Sequence, residues 1–216
     1  MNLRLSLTSW SLPYCTLPEC AGISRALGIE AIDLSYFYRS ALDKERLLSH
    51  PEQYAAEVVS KFQISLASLY HLFGDTISDR NLSNPDAMVK NLADFESVLR
   101  FCGEAGVASI LLLPGLVNPG QTRQDALDIS SEALKMMRDK AARTDVTLTI
   151  ELHVHSYLES PSLVLELLGL FQGLRLTLDY AHFHCLGYRQ EEIDLLTPHA
   201  AHVHLRQREL ALSRQS

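Results

Sequence analysis

Short apolar runs and longer amphipathic segments alternate along almost the whole chain. In the short runs apolar and polar residues alternate with a period of two, which is typical of strands, and the longer segments carry helix-capping residues at their ends. The pattern predicts seven strands, at residues 3–9, 29–35, 64–71, 107–115, 146–154, 174–179 and 201–206. It predicts helices between them, at residues 16–28, 50–63, 84–106, 122–143, 160–171 and 190–196.

This regular alternation favours a parallel α/β architecture. No glycine-rich G-x-G-x-x-G segment follows the first strand and no P-loop motif occurs, so nucleotide-binding doubly wound folds lose support. A (β/α)8 TIM barrel fits better, although such a barrel takes about 250 residues. The 216 residues stop one βα unit short. We therefore expect a single domain over residues 1–216, a TIM barrel truncated to about seven strands.

Composition and charge narrow the class of partner. The formal net charge is -7, which argues against a nucleic-acid surface because such surfaces are normally basic. No stretch approaches the roughly 20 apolar residues of a membrane span, and polar interruptions in residues 1–15 leave no signal-peptide pattern. The four cysteines form no C-x-x-C pair. We expect a cytoplasmic protein that binds neither nucleic acid nor a membrane.

Polar residues end three of the predicted strands. Glu151, Asp179 and His204 each lie near the carboxyl end of a strand, about one βα repeat apart. Neighbouring strands are about 4.8 Å apart, so these side chains converge. Two carboxylates held this close repel unless a positive group lies between them. A single divalent ion (Mn²⁺, Mg²⁺, Co²⁺ or Zn²⁺) meets that need with oxygen and imidazole ligands.

Seven of the nine histidines fall between residues 153 and 204, around the two acids. His182 follows Asp179 by three residues, and we expect it near a bound substrate. His71 ends the third strand in a row with Leu69, and a pocket role and a structural role fit it equally well. His155 and His202 are expected to orient ligands or to pack in the core. For any one of these groups alone, a helix cap or a structural hydrogen bond is the simpler explanation.

At these residues the chain resembles the xylose isomerase-like TIM barrels, the sugar phosphate isomerase/epimerase family that also includes the endonuclease IV relatives. The resemblance is carried by the strand-end Glu of LTIELHVHS, the D-x-x-H of LTLDYAHFHCLG and the H-V-H of AHVHLRQ, in that order. It implies that Glu151, Asp179 and His204 bind one divalent metal ion. It also implies that His182 contacts the substrate and that His71 faces the pocket.

The function implied by this resemblance is isomerisation or epimerisation of a small sugar, a sugar phosphate or a related hydroxycarbonyl through an enediolate. Glu151 would move the proton while the metal polarises the carbonyl, and His182 would hold a substrate oxygen. Trp10 and Phe73 would wall the pocket against water, and core packing explains either of them equally well.

The chain departs from the family pattern at its end. The family has a fourth ligand, a Glu at the end of strand eight, and no such strand is found in this sequence. The tail RELALSRQS has no strand pattern and resembles a truncated or frame-shifted end.

Two other functions stay open. One is a truncated, catalytically impaired barrel that binds metal or self-associates into a homo-oligomer through its open sheet edges. The other is a phosphodiesterase like endonuclease IV, which the acidic composition makes the least favoured.

Overall fold

A curled sheet of seven parallel strands forms part of a barrel in the computed structural model, which describes residues 4–153, 156–171 and 173–206. The strands lie side by side in chain order, so the first and the last are the edges of the described sheet. This confirms the predicted parallel α/β architecture and the seven strands. The strands are β1 (Ser6–Thr8), β2 (Ala31–Leu34), β3 (Ser65–Tyr70), β4 (Ser109–Leu112), β5 (Thr147–Glu151), β6 (Arg175–Asp179) and β7 (Ala200–His204).

Helices follow the strands and pack against the sheet. The described helices are α1 (Leu17–Ala26), α2 (Lys44–Ser49), α3 (Pro51–Phe62), α4 (Met88–Ala105), α5 (Arg123–Ala141), α6 (Pro161–Leu170), α7 (Tyr180–Cys185) and α8 (Gln190–Asp194). The sequence pattern predicts all of these except α2 and α7, which have six residues each and are too short to show a helical period. None of the described helices is long and apolar enough to cross a membrane.

Local sequence explains where the helices begin. At α5, the Thr122 hydroxyl accepts a hydrogen bond from the backbone N–H of Asp125, and the Asp125 carboxylate accepts one from the N–H of Thr122. This reciprocal pair satisfies two amides that the first helical turn leaves free. At α1 the Glu19 carboxylate likewise accepts a hydrogen bond from the backbone N–H of Thr16 at 2.7 Å.

The apolar core lies between the sheet and the helices. Ile150 of β5 and Leu176 of β6 pair in register and are fully buried in it. Their neighbours along each strand point to the opposite face because strand side chains alternate. On that inner face the hydroxyls of Thr149 and Thr177 lie 2.8 Å apart in a hydrogen bond. The inner row of β5 ends at Glu151, so the strand delivers this acid to the interior of the curled sheet.

A bulge turns both histidines of β7 to the inner face. The regular register between β6 and β7 is interrupted after Ala200, and Thr177 then pairs with His202, so Ala201 is an extra residue. One inserted residue reverses the facing of everything that follows it. His202 and His204 therefore lie in the inner row with Thr177.

A second bulge lies between β2 and β3, where Ala67 has no partner in the register. The sequence pattern predicts Ser65, Ala67, Leu69 and His71 in one row, but Ser65 pairs with Ala31 and Leu69 with Leu34, which lie on opposite faces of β2. The predicted row is wrong between Ser65 and Leu69, because the bulge at Ala67 reverses the phase of the second half of β3. His71 follows the end of the strand.

The predicted fifth strand is longer than the observed one. The sequence pattern extends it to residue 154, whereas β5 ends at Glu151. His155, expected to orient a ligand, lies outside the described residues, and so does the tail from residue 207 onward.

Candidate active site

Two buried carboxylates lie at the carboxyl ends of neighbouring strands. Glu151 is the last residue of β5 and Asp179 the last of β6, and they are only 5% and 3% exposed. One ligand atom from each of Glu151, Asp179 and His182 lies within 4.8 Å of the others. In parallel barrels this edge of the sheet is where catalytic sites are built. We therefore take it as the candidate active site.

His204, the last residue of β7, lies directly against Glu151. Its Nδ1–H donates a hydrogen bond to Oε1 of Glu151 at 2.6 Å. Burial lowers the pKa of His204, but the hydrogen bond and the negative charge of Glu151 outweigh it, and the net pKa is raised. The second ring nitrogen, Nε2, is buried without a hydrogen-bond partner among the described residues. His204, which the sequence predicts as the third ligand, therefore lies at the site. Its Nδ1 is hydrogen-bonded to Glu151, and its Nε2 has no hydrogen-bond partner among the described residues.

Asp179 has two partners of its own. Its Oδ1 accepts a hydrogen bond from the backbone N–H of Ala181 at 2.9 Å, which caps α7. Its Oδ2 forms an ion pair with Nε of Arg206 at 2.7 Å. The Asp179 side chain is 3% exposed and that of Arg206 is 52% exposed. The acid therefore caps a helix and also pairs with a cation supplied by the chain itself.

His182 lies on the first turn of α7, facing both acids and Arg206. An Nη of Arg206 lies 3.1 Å from its Nε2. Burial lowers the pKa of His182 to about 4, although the charge of Glu151 acts in the opposite direction. The imidazole is therefore neutral near pH 7 and can both accept and donate a hydrogen bond.

His71 occupies a neighbouring pocket. Its Nδ1 lies 2.9 Å from the hydroxyl of Tyr36, and its Nε2 is buried without a hydrogen-bond partner among the described residues. Burial lowers the pKa of His71 to about 3. The pocket is also lined by Phe73 and His153. The His153 ring is 5.1 Å from that of His182, so the pocket adjoins the two acids.

Trp10 follows β1 on the other side of the site. Its ring meets the ring of His204 edge-on, with centroids 6.0 Å apart, and also contacts Tyr70. The structure therefore places Trp10 with Glu151, Asp179, His182 and His204, whereas His71 connects to them through His153. The catalytic, substrate-binding and metal-binding roles of these residues stay predictions.

Sequence reasoning missed two residues beside this site. Arg206 follows His202 and His204 at the same spacing of two residues. The period of two in β7 therefore indicated that Arg206 lies on the same face of the strand as these histidines. Asp33 is a single acid in the apolar strand β2 and is 1% exposed. An acid that interrupts an apolar run is the signal that could have pointed to it.

A parallel sheet with acids and imidazoles at the carboxyl ends of its last three strands defines a class of barrel with a candidate metal centre. The family model described as xylose isomerase-like TIM barrel matches residues 22–213. The chain belongs to this family. No curated protein sequence matches it.

Solved structures share the fold at low sequence identity. The 3-keto-D-glucoside 4-epimerase from E. coli has a TM-score of 0.73 and 12% identity, over 96% of this chain and 80% of that one. The IOLI protein with a binding zinc atom has a TM-score of 0.68 and 18% identity, over 88% and 67%. A xylose isomerase-like TIM barrel protein from Mycobacterium smegmatis in complex with magnesium has a TM-score of 0.68 and 13% identity, over 94% and 74%.

These comparisons establish the fold and family. The single domain over residues 1–216, the cytoplasmic location, the absence of nucleic-acid binding and the self-association through open sheet edges stay predictions.

Proposed function

We propose that this chain carries the site of a divalent metal-dependent isomerase or epimerase that acts on a small sugar, a sugar phosphate or a related hydroxycarbonyl. One observation carries the proposal: Glu151, Asp179 and His182 bring ligand atoms within 4.8 Å of one another at the carboxyl ends of β5 and β6. His204 adds an imidazole on Glu151.

The donor set fits a divalent ion. Two carboxylates and a neutral imidazole can bind any of the ions Mn²⁺, Mg²⁺, Co²⁺ and Zn²⁺. Mg²⁺ and Mn²⁺ favour the carboxylate oxygens, whereas Zn²⁺ and Co²⁺ also bind the imidazole nitrogen well. Glu151, Asp179 and His182 would hold the ion, with His204 as a further ligand if its ring leaves Glu151. Arg206 has to leave Asp179, and its half-exposed side chain has solvent to turn into. When bound, the ion supplies Lewis-acid polarisation of a substrate carbonyl.

The protein's own groups would move the proton. Glu151 would remove a proton from the carbon next to the carbonyl and return it to the product, passing through an enediolate. His182 would hydrogen-bond a substrate oxygen, and its low pKa keeps it neutral for that task. Trp10 and the pocket at His71 would shield the reacting carbon from water.

The comparisons support the proposal at the level of chemistry. One structural neighbour is a sugar epimerase, one holds zinc and one holds magnesium. Their identities are too low to indicate a substrate for this chain.

Solvent isotope exchange tests the proposal without knowledge of the product. The full chain, loaded with Mn²⁺, is incubated in D₂O with a panel of ketoses, aldoses and their phosphates, and deuterium uptake beside the carbonyl is followed by NMR. We expect metal-dependent uptake for at least one substrate. Glu151→Gln should reduce the rate at least a hundredfold, because positioned acid–base catalysis contributes about 10²–10⁴-fold.

Glu104→Gln, an exposed change on α4, is the matched control and should exchange like the wild type. The proposal fails if the metal-loaded wild type catalyses no exchange on the whole panel. It also fails if Glu151→Gln exchanges as fast as the control.

A further inference from the structure

The pocket at His71 adjoins the candidate active site on the side of β3 and β4. Its wall is formed mainly by the segments that follow these two strands, and it includes six apolar residues: Leu72, Phe73, Ile77, Leu82, Leu113 and Leu116. None of the described lining residues is Lys, Arg, Asp or Glu. His153 also lines the pocket, and its ring lies 5.1 Å from that of His182, so a ligand bound at His182 can reach the pocket.

His71 offers this pocket a buried polar atom. Its Nδ1 lies 2.9 Å from the hydroxyl of Tyr36, which is not one of the described lining residues. Its Nε2 points away from Tyr36 and is buried without a hydrogen-bond partner among the described residues. Burial is the main cause that lowers the pKa of His71 to about 3, so the ring is neutral near pH 7. Nε2 can then donate or accept one hydrogen bond, which suits an uncharged hydroxyl group of a ligand.

A hydrogen-bond network around Asn81 holds the wall of the pocket. Oδ1 of Asn81 accepts hydrogen bonds from the hydroxyl of Ser83 at 2.6 Å and from the backbone N–H of Leu116 at 3.3 Å. Its Nδ2 donates to Oδ1 of Asn118 at 2.9 Å. These bonds join the loop after β3 to the loop after β4. Both polar atoms of Asn81 are therefore used within the chain, and the network fixes the apolar residues beside it.

Two cations approach His71 from outside the pocket. The charges of Lys44 and Arg80 also lower the pKa of His71, but neither residue is among the described lining residues. Nζ of Lys44 donates a hydrogen bond to the carbonyl of Gly74, and Nη2 of Arg80 forms an ion pair with Oδ2 of Asp94 at 2.6 Å. A phosphate in the pocket would be buried against apolar residues while both cations are already engaged, which is unfavourable.

We propose that this pocket receives the end of the substrate distant from the carbonyl, and that this end is a methyl group beside a hydroxyl, as in a 6-deoxy ketose. The inference rests on the proposed function, because it assigns the remaining part of the same substrate. The methyl group packs against the apolar wall. The hydroxyl bonds to Nε2 of His71 and gives that buried atom a partner. A further terminal hydroxyl or a phosphate would be buried without one.

Binding of matched ketoses tests the inference. Each set contains three ketohexoses of one configuration, in which C6 is a methyl group, a hydroxymethyl group or the phosphate ester of that group. Ligand-observed NMR gives their dissociation constants for the full chain supplied with Mg²⁺, which is diamagnetic. In the set that binds best, the 6-deoxy ketose should bind at least tenfold more tightly than the other two, because an apolar pocket rejects an added hydroxyl by about 10²-fold.

Two substitutions assign the effect to the pocket. His71→Phe keeps an aromatic ring but removes Nε2, and should weaken binding of the 6-deoxy ketose about tenfold, because its hydroxyl is left unpaired. His50→Phe, at an exposed histidine, is the matched control and should bind like the wild type. Ile77→Lys adds a cation to the wall at a position that is 39% exposed. It should strengthen binding of the phosphate about tenfold through a charge-assisted hydrogen bond.

Circular dichroism checks that each variant is folded, and Ile77→Lys carries the test if the buried change at His71 disturbs the fold. A phosphate that binds the wild type as tightly as the 6-deoxy ketose would overturn the inference. Equal binding of the 6-deoxy ketose by His71→Phe and its control, unchanged phosphate binding in Ile77→Lys, or absence of binding by every ketose would also overturn it.

The deuterium exchange assay separates this inference from the proposed function. Preferential binding of the 6-deoxy ketose without metal-dependent exchange on any substrate would support the pocket assignment and contradict the proposed function. Exchange on ketose phosphates but not on 6-deoxy ketoses would support the proposed function and overturn the pocket assignment.

Discussion

Arg206 occupies the position that an ion at Asp179 would need, and this predicts an unusual gain of function. Its Nε forms an ion pair with Oδ2 of Asp179 at 2.7 Å, and an Nη lies 3.1 Å from Nε2 of His182. An ion bound by these two residues must displace the guanidinium. Arg206→Gln removes the competing charge and leaves the proposed ligands in place, so it should strengthen metal binding at this group.

The geometry sets the size of the gain. Opposite charges about 4 Å apart attract by about 4 kcal/mol at an effective dielectric constant of about 20. The Arg206 side chain is 52% exposed, so solvent screening and side-chain entropy reduce the net value of the pair. About 1.4 kcal/mol is a reasonable remainder, which corresponds to about a tenfold change in the metal dissociation constant.

Calorimetric titration with Mn²⁺, whose preference for oxygen ligands favours the two carboxylates, measures this effect. The dissociation constant should fall about tenfold in Arg206→Gln. Arg189→Gln is the control, because Arg189 is 77% exposed and pairs with Glu192 at a distance of 3.5 Å. Unchanged or weaker Mn²⁺ binding in Arg206→Gln, beside an unchanged control, would refute the argument that the guanidinium competes with the ion.

Three further predictions concern stability, each measured by urea unfolding. Burial lowers the pKa of His71 from 6.5 to about 3 in the folded state. Between these two pH values the unfolded chain binds a proton that the folded chain does not. The free energy of unfolding should therefore fall as the pH drops below 6.5. The slope contribution is up to about 1.4 kcal/mol per pH unit, and His71→Gln should flatten it; an equally steep slope in that variant contradicts the assignment. Thr149→Val leaves the Thr177 hydroxyl unpaired and should lower the free energy of unfolding by about 1–3 kcal/mol. Adding Thr177→Val to this variant should lower it little further. If the losses of the two single variants simply add in the double variant, the hydrogen bond between the two hydroxyls does not contribute to stability. Gly115→Ala should destabilise the fold by about 1–3 kcal/mol, because φ is +111° and the new Cβ would lie 3.0 Å from the backbone nitrogen of Ser83. Gly22→Ala is the control: no atom lies within 4 Å of the new Cβ on α1, so this change should stabilise the fold slightly. Similar effects of the two substitutions would contradict the argument.

Much of the fold follows from local sequence. The period of two in the short runs and the capping residues at the longer segments predicted the seven strands and most of the helices, because both signals act within a few residues. The family follows from Glu151, Asp179 and His204 in their order and spacing. Helix α7 escaped prediction because its start depends on Asp179, whose side chain caps it, and six residues show no helical period.

The sequence by itself determined that acids and imidazoles would meet at the carboxyl ends of β5, β6 and β7, since parallel strands end at one edge of a sheet. Only the tertiary structure decided which atoms pair there. The inserted residue at Ala201 turns His202 inward, and the curl of the sheet carries Asp33 to it across 169 positions. Neither effect has a local signature, because a bulge is defined by the partner strand and curl by the whole sheet.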